Sequence, residues 1–148
     1  MKILSDNRKA NFDYEIFEKF EAGIELFGFE VKSAKQGKFH IVGSYVLPKN
    51  NELWLVGAKI DPYQQNNLPK EYDPERNKKL LLHKSEIKYL IGKINQKFML
   101  IPLSVFLKNN FIKILLGLAR PRKKQDKREL IKKREFKKEI GRLRNISI

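Results

Sequence analysis

The stretch Phe12-Asp13-Tyr14-Glu15-Ile16-Phe17-Glu18-Lys19-Phe20-Glu21-Ala22-Gly23-Ile24-Glu25-Leu26 sets the fold class. Its apolar side chains recur at alternate positions: Phe12, Tyr14, Ile16, then Phe20, Ala22, Ile24 and Leu26. Successive side chains of an extended chain point to opposite faces, so the alternation predicts a long strand with one face buried. Gly23 predicts a bulge or bend within it. Glu15, Glu18 and Glu21 fall on alternating faces, which argues against a paired acid–base site.

Upstream, Asn7-Arg8-Lys9-Ala10 is a basic leader, and the N-terminus lacks the apolar run of a signal peptide. Downstream, Val31 and Ala34 sit three apart between Gly28 and Gly37, the pattern of a short helix closed by glycine. His40 to Leu47 and Leu53 to Ile60 predict two strands joined by the turn Pro48–Glu52. Asp61 to Lys79, with Pro62, Pro69 and Pro74, reads as a long polar loop. Ile87, Leu90, Ile91, Ile94 and Phe98 follow helical spacing and predict an amphipathic helix. A last hairpin pairs Met99–Leu107 with Phe111–Ala119, and Pro102 places its strand at an edge or on a bulge. The class is mainly β with helices (α+β). So many hairpins must stack or close, and the expectation is an OB-like closed antiparallel β-barrel with a packed amphipathic helix.

The chain divides into a body, residues 1–119, and a basic C-terminal tail, residues 120–148. Of the formal net charge of +15 over 148 residues, the tail carries +9 and the body +6. Such a balance on both parts favours a polyanionic partner, nucleic acid before anionic membrane. On a helical wheel Leu130, Phe136, Ile140 and Leu143 form one narrow stripe among lysines and arginines. That stripe buries too little to hold a helix alone, and like charges one turn apart repel. The tail is therefore expected to be disordered when free and helical on RNA. A membrane-surface role is disfavoured, because Phe136 is the tail's one bulky aromatic.

Chemistry is sparse. There is no cysteine, and His40 and His83 lack neighbours at metal-ligand spacing, so neither metal nor cofactor is expected. No nucleophile–base pair can be assembled, and the chain is not read as an enzyme. Tyr45, Trp54, Tyr63 and Tyr72 border loops rich in Asn, Gln and Lys, where single-stranded RNA could stack, although each taken singly suits a core.

Asn7–Ala10, Phe20-Glu21-Ala22-Gly23-Ile24, Gly28-Phe29-Glu30-Val31-Lys32-Ser33, Ser44-Tyr45, Asp73-Pro74, Lys79-Leu80-Leu81-Leu82-His83-Lys84 and Asp126-Lys127-Arg128 together resemble the SsrA-binding protein (small protein B) family. They stand in the family's order across nearly the whole chain. The resemblance implies a cytoplasmic, monomeric trans-translation factor whose barrel binds the tRNA-like domain of tmRNA near its D-loop. It implies support for alanylation by alanyl-tRNA synthetase, delivery with elongation factor Tu and GTP, and entry into the A site of a stalled ribosome. The family's tail turns helical in the empty mRNA channel, against small-subunit rRNA. The implied tmRNA-binding set is Glu21, Lys32, Lys35, Leu81, His83 and Lys84. The implied ribosome-binding set is Arg122, Lys123, Lys124, Asp126, Lys127, Arg128, Lys132, Lys133 and Arg134. Glu21 could accept hydrogen bonds from RNA or brace a neighbouring lysine; Leu81 could face a base or pack ahead of the helix. The chain departs from the family pattern at Gly43, Tyr72, Pro121 and Gln125. The competing reading is a structural ribosomal or ribosome-assembly protein that binds rRNA through charge alone.

Overall fold

The computed structural model describes residues 2–62 and 72–146, with backbone only at 136 and 139–146. Tyr63, Pro69 and the centre of the expected loop lie outside the described residues. The elements are β1 (Lys2–Asp6), α1 (Lys9–Asp13), β2 (Tyr14–Ile24), α2 (Gly28–Lys35), β3 (Phe39–His40), β4 (Tyr45–Lys49), β5 (Glu52–Val56), β6 (Lys59–Ile60), β7 (Lys78–Leu81), α3 (Lys84–Asn95), β8 (Met99–Lys108), β9 (Phe111–Pro121) and α4 (Lys124–Ile146).

The alternating stretch is the hub. β2 pairs with β9 from Tyr14 to Gly23 and with β7 through Gly23 and Ile24, inside an antiparallel sheet ordered β1-β8-β9-β2-β7-β5-β4. Its register shift falls between Ile16 and Glu18, not at Gly23. Gly23 has a different use: a Cβ there would lie 3.2 Å from that of Leu81, so its bareness lets β7 close on β2. Pro102 does sit at a register shift, between Pro102 and Ser104. Asn50 and Asn51 (φ 54° and 59°), and Asn109 and Asn110 (φ 51° and 65°), turn the two hairpins. Paired left-handed residues match the strand twist, and asparagine tolerates them.

The mainly-β, α+β class holds, but the expected closed barrel does not. The order runs from β1 to β4 with no pairing between those ends, although β4 lies close to β8 and the sheet curls strongly. Gly43 and Gly57 (φ 82° and 83°) break both predicted strands. The outer pieces leave the sheet as a separate β3–β6 ribbon, with β3 beside β1 in the gap that closure would have filled. Phe39, Leu53, Leu55, Ile60, Leu80, Leu90, Leu100, Ile114 and Leu116 are completely buried inside the curl. α3 supplies Leu90 and Ile87 as its lid. A smaller cluster on the outer side joins Ala10, Ile101, Leu103 and Ala119 with Tyr14, Ile16 and Leu115.

Three boundaries differ from the sequence reading. Residues 9–13, including Phe12, form α1 rather than strand. Lys78 and Lys79 belong to β7, not to a loop. β9 continues two residues past 119, pairing Arg120 with Glu15 and Pro121 with Tyr14.

Candidate nucleic-acid interface

The pairing of β2 with β7 brings together residues that lie some sixty positions apart. Across the outer face one row reads Leu81, Gly23, Lys113, Phe106 on β7, β2, β9 and β8. Glu21 stands two residues along β2 from Gly23, and so on the same face. Leu81 is 49% exposed although it ends a strand of otherwise covered residues, so it is not core. Two residues later His83 caps α3, with an extended backbone and an exposed side chain free of any capping hydrogen bond. The Glu86 carboxylate accepts its N–H instead, at 3.2 Å, leaving the imidazole to solvent. Exposed Lys84 opens the helix. The helix N-terminus adds a partial positive charge that favours phosphate.

Glu21 is not a bare carboxylate. Lys108 Nζ lies 3.3 Å from both of its oxygens, reaching in from the β8–β9 turn. The pair is exposed, so it contributes little to stability but fixes one acceptor beside one donor. Lys108 was not foreseen; the only sequence hint was its place beside the Asn109–Asn110 turn. Lys32 and Lys35 ride on a separate element, the last turn of α2, which packs against β6. They are not part of the Glu21–Leu81–His83 ladder.

α2 is fixed from below. Glu30, fully buried, accepts the Phe27 N–H at 2.8 Å and the Arg76 Nε–H at 3.1 Å, and Arg76 Nη2 also pairs with it. The Tyr72 hydroxyl donates to Glu30 at 3.1 Å, its ring edge set 4.8 Å from Phe29. Tyr72 is therefore a structural residue, not a stacking platform. Burial beside the Glu30 carboxylate pushes its hydroxyl well above the ordinary tyrosine range. Lys78, also fully buried, donates to the carbonyls of Arg76 (2.8 Å), Ala58 (3.1 Å) and Pro74 (3.4 Å). Desolvation pulls its ammonium down to about 8. Among the other candidates, Trp54 is half-buried and donates to Lys49 O at 3.3 Å, Tyr45 is 39% exposed, and His40 Nε2 lies 2.8 Å from the Asp61 carboxylate.

At the tail, Arg122 is tied to α1 through its N–H to Asp13 O (2.9 Å) and its Nε–H to Asn11 O (3.2 Å). Lys127 pairs with Asp13 at 3.3 Å, and Lys127 and Arg134 both lie over the Phe12 ring. Asp126 accepts the Lys123 N–H at 3.3 Å, which makes it the cap of α4. Lys123, Lys124, Arg128, Lys132 and Lys133 are exposed. Among the described residues no group of His, Asp and Glu is placed to hold a metal ion, and no helix is long and apolar enough to cross a membrane.

The model of the SmpB protein family matches residues 4–145. The chain belongs to the SmpB family. The SsrA-binding protein of Synechococcus elongatus is 46% identical over 143 residues, covering 96% of this chain and 93% of its own. That of Thermosynechococcus vestitus is also 46% identical, covering 96% and 94%. A chain from the solved structure described as "tmRNA-SmpB: a journey to the center of the bacterial ribosome" superposes with a TM-score of 0.66 at 42% identity, covering 85% of this chain and 92% of that one. The SmpB resemblance read from the motifs is thus established over almost the full length.

Proposed function

We propose that this SmpB-family protein binds the tRNA-like domain of tmRNA on the β2–β7–α3 face and brings that RNA to stalled ribosomes for trans-translation. The observation that carries the reading is the ladder that sets Glu21–Lys108, exposed Leu81 and the uncapped His83 imidazole side by side at a helix N-terminus. An exposed leucine gives an unstacked base an apolar seat. His83 can stack or donate, Glu21 accepts from base or sugar donors, and Lys84 and Lys108 meet phosphate. Lys32 and Lys35 add charge from α2. The protein acts in the cytoplasm as a monomeric binding factor, not an enzyme, on RNA that alanyl-tRNA synthetase charges and elongation factor Tu with GTP delivers.

The tail has the second task. Arg122, Lys123, Lys124, Lys127, Arg128, Lys132, Lys133 and Arg134 line up along phosphates in the empty mRNA channel of the small subunit, and Asp126 caps the helix formed there. Free in solution this segment is disordered, because its charge repels itself and its contacts with α1 are few and exposed.

Affinity for the isolated tRNA-like domain, set against an ordinary tRNA, tests the reading. The expected outcome is clear preference for the former, lost in His83→Ala and Glu21→Ala while Tm stays put. Equal affinity for both RNAs would leave only binding by charge and overturn it.

A further inference from the structure

Beside the ladder lies a groove of about 450 Å³ between the β4–β5 turn and α3, lined by Asn51, Glu52, Lys84, Ile87, Lys88 and Ile91. Its size is within the range of about 300–1,000 Å³ typical of small-ligand sites. Ile87 and Ile91, one helical turn apart, supply the apolar lining. Lys84 and Lys88, also one turn apart, stand along the same helix edge. Neither lysine has a counter-charge or hydrogen-bond acceptor among the described residues, whereas Lys79, Lys108 and Lys127 each pair with a carboxylate. Two unpaired like charges at this spacing repel, and an anion between them removes the repulsion. Across from them Asn51 presents an amide, and Glu52, held at 3.8 Å by Lys79, presents a carboxylate. Apolar floor, paired cations and opposing hydrogen-bonding groups match the three parts of a nucleotide: base face, phosphate and base edge.

We infer that this groove takes one unpaired nucleotide of the bound RNA, its base on Ile87 and Ile91, its phosphate between Lys84 and Lys88, and its edge read by Asn51 and Glu52. The inference rests on the tmRNA reading above, because the groove shares Lys84 with that face and continues it along α3. An RNA lying across Leu81 and His83 reaches the groove within one nucleotide step. The charge of the two lysines favours RNA over the apolar side chain of a protein partner, which would leave both ammonium groups unanswered.

The test measures binding of the tRNA-like domain at several salt concentrations. Lys88→Ala should weaken it about three- to tenfold and lower the slope of log K against log[salt] by roughly 0.7–0.9, one phosphate contact. Ile91→Thr should weaken it by a similar factor with the slope unchanged, since only the apolar contact is reduced. The chain lacks cysteine, so Lys88→Cys carrying a photoreactive aryl azide reports the neighbour directly. It should crosslink to one unpaired nucleotide. Parental affinity in both variants with no RNA crosslink, or crosslinking to protein alone once ribosomes are added, overturns the inference. In that case a His83→Ala control that still loses affinity keeps the wider reading intact. A parent protein that fails to prefer the tRNA-like domain brings down both.

Discussion

Helices α2 and α4 begin alike and are held by opposite means. In each, a carboxylate near the start accepts the N–H of the residue before the helix, Glu30 from Phe27 and Asp126 from Lys123. Glu30 is then driven fully inside, where Arg76 and Tyr72 close on it and Lys78 sits nearby. Asp126 stays in water, and the turn behind it touches the body only through Arg122, Lys127 and Arg134 on α1. The same cap therefore locks one helix into the fold and merely starts the other. Burial makes the difference, since a buried ion pair cannot lose one partner cheaply, whereas exposed pairs exchange freely with water.

Truncation after Lys123 breaks the comparison most severely. Rescue of stalled ribosomes should disappear, measured as tagging of nascent chains in a reconstituted system. The body should keep its tmRNA affinity to within a few-fold and its Tm to within about 3 °C, because only exposed contacts are lost. Persistent tagging would show that the tail is dispensable. Far-UV circular dichroism sharpens the same point: full-length minus truncated protein should show little helix until RNA is added.

Arg76→Ala attacks the other helix. It strands Glu30 as a buried, half-answered charge and should cost about 3–5 kcal/mol, lowering Tm by more than about 10 °C. A small shift would mean that the carboxylate finds water, and that α2 is held as loosely as α4.

These two helices also mark how far the sequence could be read. Alternation in β2, the 3–4 spacing in α3 and the paired asparagines announced their elements, because burial imposes a period on the residues themselves. The motif Glu30-Val31-Lys32-Ser33 looked like an RNA-facing segment, yet Glu30 and Ser33 are buried. Burial of a carboxylate depends on a partner such as Arg76, forty-six positions away, which no local pattern reveals. Lys78 was read as loop for the same reason: a lysine in a polar run looks solvated until three carbonyls close round it. Barrel closure failed in kind, since the departure of β3 and β6 turns on two glycine torsions at 43 and 57. At the interface Leu81 and His83 were recognisable through family motifs, whereas Lys108 and Lys88 reach it through pairing and helix phase alone.

Lys78→Met comes next in size. It deprives the Ala58 and Arg76 carbonyls of their donor and should destabilise the body by about 1–3 kcal/mol. Its signature is in the pH dependence. The folded ammonium titrates at about 8 against 10.5 for ordinary lysine, so between these values the unfolded chain binds the extra proton. Folding is then strengthened as pH rises toward 10.5 and weakened as pH falls through 8. The stability of the parent relative to the variant should grow over that window, by at most about 3 kcal/mol. A constant difference would mean that the carbonyls hold the ammonium charged despite its burial.

The smallest effect probes the contact between tail and body. Asp13→Asn removes the charge that meets Lys127 at 3.3 Å without emptying its place on α1. An exposed pair of this kind is worth about 0.2–1 kcal/mol, so Tm should hardly move. If the tail must leave α1 to enter an RNA channel, the same loss slightly favours the released arm. Tagging by Asp13→Asn should therefore match or modestly exceed the parent, most visibly at low ionic strength, where surface attraction is least screened. Reduced tagging with unchanged tmRNA affinity would reverse that sign: the contact would then aim the tail toward its channel, and α4 would be an extension of the body after all.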